Sequence, residues 1–145
     1  MGPANRRLLA LAAAVGLAAF TGCAQSLRAA DYPDGRYTGS SAAADDGAIG
    51  TVEFTISGGL VTAASFVVRD ADGTAHDESY GLSKATGEPV DEAFYQRAQA
   101  AVAAEKQYVT QFAEVGDADQ VDVIAGASLS HTQFVEAVTD ALSKG

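Results

Sequence analysis

The chain has 145 residues, enough for one domain of ordinary size and no more. Apolar residues make up 48%, much of it alanine, so a modest core is expected. Nineteen acidic residues against nine basic ones give a formal charge of −10, which argues against nucleic acid and anionic lipid surfaces as partners.

The N-terminus reads as an export signal. Arg6 and Arg7 precede an apolar run from Leu8 to Phe20, which ends in Thr21-Gly22-Cys23. This is the order of a charged region, an apolar region and a small-residue cleavage site. The run is short for a membrane span and lacks a stop-transfer flank. Phe20-Thr21-Gly22-Cys23 resembles a bacterial lipobox, with Phe20 in place of the usual Leu; the bland alternative is an ordinary signal with an incidental cysteine. The resemblance implies a signal peptide over residues 1–22, diacylation of Cys23, and anchorage of the mature chain in the lipid bilayer. Two acyl chains hold stably where one does not. The mature chain would lose Arg6 and Arg7 and carry seven basic against nineteen acidic residues, a charge of −12. Cys23 is the only cysteine, so no intramolecular disulfide is available.

Residues 24–33 are expected to be a tether, so that 23–33 comprise the lipidated Cys and its tether, with the folded domain spanning 34–145. "GRYTGSS" predicts a first strand. In "AIGTVEFTISGG", Val52, Phe54 and Ile56 alternate with Glu53, Thr55 and Ser57, the period of a half-buried strand. Gly58-Gly59 signals a hairpin turn. "LVTAASFVVRD" is the partner strand, with Val61, Ala63, Ser65 and Val67 expected on one face. "DADGT" is a turn, and Ala75–Val90 is expected to be loop. Asp91–Ala113 has Phe94, Ala98, Ala101, Val102, Tyr108, Val109 and Phe112 at helical spacing, with a break expected near Lys106. Asp91 and Glu92 suit the helix dipole. "VDVI" is short and extended. Ser130 and Gln133 fit a capping box, followed by an apolar stripe of Phe134, Val135, Val138, Ala141 and Leu142. The fold class is therefore α+β: a small antiparallel sheet with a β-hairpin, packed against two main helices, after a signal and tether.

"VDVIAGASLSHTQF" (121–134) carries the chemistry. Asp122, Ser128 and His131 invite a hydrolase reading, but Gly126-Ala127-Ser128-Leu129-Ser130 misses the G-x-S-x-G elbow by its last residue. The acid also precedes the serine, and the chain is short for that fold. A second reading is a phosphate site. Gly-Ala-Ser ahead of a helix offers free backbone N–H groups at the positive end of the dipole. Gly126 allows close approach and an unusual φ, and Ala127 keeps the approach open. The hydroxyl of Ser128 can donate to a phosphate or be esterified by one. His131 and Tyr80 are expected to be an exposed first-turn residue and a loop-packing residue, and His76 to be solvated in its acidic loop. No Cys/His spacing suggests a metal site.

Asp122-Val123-Ile124-Ala125-Gly126-Ala127-Ser128, with Ser130 two further on, resembles the motif Asp-x-x-Ser/Thr-Gly-Ala-Thr/Ser of the FMN-binding domain. That domain occurs in membrane-anchored bacterial lipoproteins and in subunits of sodium-pumping NADH:quinone reductase and Rnf complexes. "DGRYTGSS", "VEFTISGGLVTAASF", "DGTAHDESYG", "FYQRAQAAVAAEKQYVTQF" and "FVEAVTDAL" extend the resemblance over roughly residues 34–143. Ser128 stands where Thr is commoner, and Ala125 where Ser or Thr is usual. The resemblance implies FMN joined to Ser128 by a phosphoester, made from FAD by a separate magnesium-dependent flavin transferase. Gly126, Ala127, Leu129 and Ser130 would lie about the phosphate, and Asp122 would help to orient the acceptor. The implied role is an electron carrier, not a stand-alone enzyme, held at a cell membrane or outer membrane and facing the periplasm or cell surface. Its donor would be a membrane dehydrogenase or the quinone pool. The competing reading is a flavin-free surface lipoprotein, an antigen or binding module that kept the fold.

Overall fold

The computed structural model describes residues 24–145; the signal peptide at 1–22 and Cys23 lie outside the described residues. Three strands, β1 (Gly35–Ser40), β2 (Ile49–Ser57) and β3 (Leu60–Arg69), form an antiparallel sheet in the order β1-β2-β3. Two helices follow, α1 (Glu92–Val115) and α2 (Ser128–Lys144). The α+β class expected from the sequence is the observed one, with a hairpin and both helices packed on the sheet.

β2 alternates as its sequence requires: Gly50, Val52, Phe54 and Ile56 are buried and their neighbours are not. Gly58 and Gly59 both take positive φ, 60° and 77°, and close a two-residue hairpin between Ser57 and Leu60. β3 departs from the expected face. Ile56 pairs with Val61 but Thr55 pairs with Ala63, so Thr62 is an extra residue and a bulge. Its insertion shifts the phase by one. Val61 points inward before the bulge, and Ala64, Phe66 and Val68 point inward after it, while Ala63 and Ser65 are exposed.

α1 runs unbroken through Lys106. The Asp91 side chain accepts from the Phe94 N–H at its start, and Gly116 closes its end at φ 66°. The core lies between sheet and helices. Phe112 meets Phe54 edge-on at 5.2 Å, and Phe134 meets Phe66 at 5.3 Å. Small residues let the layers close: a Cβ on Gly39 would lie 2.3 Å from both the Ala137 carbonyl and the Ala141 nitrogen.

Part of the segment expected to be a tether is docked. Leu27 and Ala29 are buried. The Ala29 N–H donates to the Gly116 carbonyl at 2.8 Å, and the Ala118 N–H to the Leu27 carbonyl at 3.2 Å. Among the described residues, no helix is long and apolar enough to cross a membrane.

Candidate functional site

The segment between the helices has no sheet to hold it, so α1 does so. Gln111 receives the Asp122 N–H at 2.7 Å. One turn earlier, the buried Tyr108 hydroxyl donates to the Ala127 carbonyl at 2.9 Å and accepts from the Ile124 N–H at 3.1 Å. The Ala127 N–H reaches back to the Ile124 carbonyl at 3.0 Å, closing a turn in which Gly126 adopts φ 81°.

The turn delivers the chain into α2 at Ser128, three residues before the capping box predicts. No side chain caps this helix, in contrast to α1. The N–H groups of Ser128, Leu129 and Ser130 lack intrahelical acceptors by helix geometry, and the dipole adds positive potential there. Ser128 is exposed, and its hydroxyl makes no hydrogen bond among the described residues. A Cβ on Gly126 would meet nothing within 4 Å, so the backbone there stays approachable.

Gly126, Ala127, Ser128, Leu129 and Ser130 line one pocket of about 230 Å³. Asp46 and Ala48 come to it from the loop before β2, His76 and Tyr80 from the loop after β3, and Ala101 from α1. Asp122 and His131 are not among its lining residues. The Asp122 side chain is exposed, while the His131 ring sits 2.7 Å from the Val121 carbonyl and edge-on to Tyr108.

Ser130 and Gln133 form no capping box; both are buried and turned inward. The Ser130 hydroxyl donates to Glu105 at 3.0 Å, and the Gln133 amide to the Ala48 carbonyl at 3.0 Å. Glu105 is only 3% exposed. Its same oxygen, Oε1, lies 3.4 Å from His76 Nδ1, while His76 Nε2 lies 2.9 Å from Asp70. Tyr80 stacks on the imidazole at 3.6 Å. His76 is thus pinned between two carboxylates, not solvated as the loop composition suggests. Burial opposes its charge, but the hydrogen bonds to Glu105 and Asp70, and then their charges, outweigh that and hold its pKa above the usual imidazole value. Tyr80 is pushed up by burial and then by Asp70, Asp46 and Glu105. One sequence signal pointed here: Glu105 falls three residues after Val102 and three before Tyr108, on the apolar stripe of α1, and a charge there requires a partner.

The donors, the open glycine turn and the free hydroxyl are groups that can receive a phosphate, on a small α+β domain. A model of the FMN-binding domain family matches residues 45–143, more than half of the chain, and the protein belongs to that family. It is an FMN-binding domain protein, and the residues just described fit the phosphate end of that cofactor. A crystal structure of the CPE2226 protein from Clostridium perfringens shares the fold with a TM-score of 0.58, at 22% identity, over 77% of this chain and 86% of that one. A search of the curated proteins finds no match.

Proposed function

We propose that this FMN-binding protein is an exported flavoprotein that carries its FMN on Ser128 through a phosphoester and serves as a membrane-anchored electron carrier. The observation that supports the attachment point is the free, exposed Ser128 hydroxyl at an uncapped helix start. The Ser128 oxygen would take the FMN phosphoryl group of FAD, giving up its proton and displacing AMP, under a magnesium-dependent flavin transferase. The Ser128, Leu129 and Ser130 N–H groups would then hold the remaining phosphate oxygens. Tyr80 lines this pocket and also a larger cavity of about 690 Å³, whose walls include Leu82, Val90 and Phe94. That apolar space suits a planar ring system.

FMN, when bound, supplies one- and two-electron chemistry; the chain's part is tethering, orientation and exclusion of water. A covalent link keeps the cofactor where a diffusible one would be lost. Cys23 would carry the lipid, and a membrane dehydrogenase or quinone pool would be the donor.

The test is to express the chain with a flavin transferase, beside a Ser128→Ala control, and to read intact mass and flavin fluorescence after denaturing electrophoresis. A gain of one FMN in the wild type alone is the expected result. An unmodified wild-type chain with an active transferase would sink the covalent reading and favour a flavin-free binding module if added FMN is also ignored.

A further inference from the structure

A pocket for an anion should not be walled with acids, yet this one is. Asp46 lines it directly, and Asp70 and Glu105 stand immediately behind His76. Among the lining residues His76 is the only side chain that can carry positive charge. Its two ring nitrogens each face a carboxylate oxygen. A neutral imidazole has one N–H and cannot satisfy both, whereas the imidazolium can. Glu105 Oε1 also receives the Ser130 hydroxyl. With His76 protonated, it and the carboxylates of Asp46, Asp70 and Glu105 total −2; without the proton they total −3, beside a phosphate site on a chain of formal charge −10.

We propose that protonated His76 is the charge partner of the phosphate: Asp70 and Glu105 position an imidazolium beside the pocket, and a phosphate ester held there tightens its grip on the proton. The inference rests on the reading that places the FMN phosphate at Ser128. The other groups around the ring are Arg69 at the end of β3, Asp77, Glu78 and Tyr80 on its own loop, Lys106 on α1, and Ser130 on α2. None replaces His76 on the pocket side: Arg69 and Lys106 border only a neighbouring cleft. By linkage, whatever anion the pocket holds must raise the affinity of His76 for its proton, and the proton must raise the affinity for the anion.

The chain has two histidines, so two imidazole C2–H signals are expected by NMR, and His76→Gln assigns them. The titration midpoint of His76 is read in the full chain carrying Ser128→Ala, which cannot form the ester. It is read there in chloride and in inorganic phosphate at equal ionic strength, and again in the flavinylated wild type. An upward displacement of about one unit is expected on loading, the size of a single charge acting across a partly screened pocket. A displacement with inorganic phosphate names phosphate itself as the ligand recognised; one confined to the flavinylated chain names the flavin ester. No displacement in either arm overturns the proposal. Intact mass decides the flavin reading separately. A flavinylated chain with an unmoved His76 midpoint keeps that reading and removes the linkage, and a phosphate-dependent midpoint in a chain that never gains FMN does the reverse. Glu105→Gln should lower the resting midpoint of His76 without altering the far-ultraviolet circular dichroism; an unchanged midpoint would remove Glu105 from the role.

Discussion

Tyr108 and Ala127 are joined by a hydrogen bond of 2.9 Å across 19 residues of sequence, and the same hydroxyl accepts the Ile124 N–H. One phenol buried in α1 thus fixes both ends of the turn that presents Ser128. Tyr108→Phe keeps the ring and its packing but leaves the Ile124 N–H without that acceptor. A loss of about 1–2 kcal/mol in urea unfolding is expected. Flavin loading should fall by more than the unfolded fraction explains, because the turn is released locally. Equal loading per folded molecule would show that Tyr108 supports the fold alone.

The His76 cluster predicts a particular pH dependence of stability. The folded-state pKa is raised, so the stabilisation is present in full below the unfolded value and is lost as pH rises through the folded value. In urea midpoints taken from pH 5.5 to 9, the wild type should lose stability relative to His76→Gln as pH rises above the usual imidazole value. A constant difference between the two chains would mean that folding leaves the affinity of the imidazole for its proton unchanged, and a relative gain with rising pH would mean that the folded protein holds it neutral.

Gly39 is a different kind of constraint. Its absent Cβ lets β1 lie against the backbone of Ala137 and Ala141, and neither neighbour has a flexible end that could yield. Gly39→Ala should cost about 3 kcal/mol or more, read as a lowered denaturation midpoint. A near-neutral result would mean that α2 can slide on the sheet.

Gly126→Ala tests backbone conformation without crowding, since nothing lies within 4 Å of the added methyl. At φ 81° the expected cost is about 1–2 kcal/mol. The turn would also drift toward negative φ and lower the rate of flavinylation. A variant with wild-type stability and loading rate would show that the turn tolerates a side chain.

What the sequence made legible was local. The alternation of Val52, Phe54 and Ile56, the Gly58-Gly59 hairpin, the long helix after Asp91 and the stripe from Phe134 to Leu142 each follow from residues a few positions apart. The motif from Asp122 to Ser130 falls at a pocket by the start of α2, although Asp122 itself stays outside it. The failures depend on distant partners. Whether Ser130 caps its helix or turns inward is decided by Glu105, which lies 25 residues earlier. Whether His76 is wet or enclosed is decided by the same Glu105, 29 residues later. The face of β3 changed at Thr62 because of a bulge that no alternation pattern announces.

The docking of Leu27 and Ala29 has a mechanical consequence for the lipid proposed on Cys23. Only Ala24, Gln25 and Ser26 would then separate the proposed anchor from the folded body, a span of about 10 Å when fully stretched. Even that is shortened, since the Gln25 amide donates to the Thr139 carbonyl of α2 at 3.1 Å. A leash of this length behaves as a mount. The domain would keep a narrow range of tilts above its bilayer and could not swing across an open gap. Electrons would have to be brought to it and collected from it by partners that come within reach of the same membrane surface.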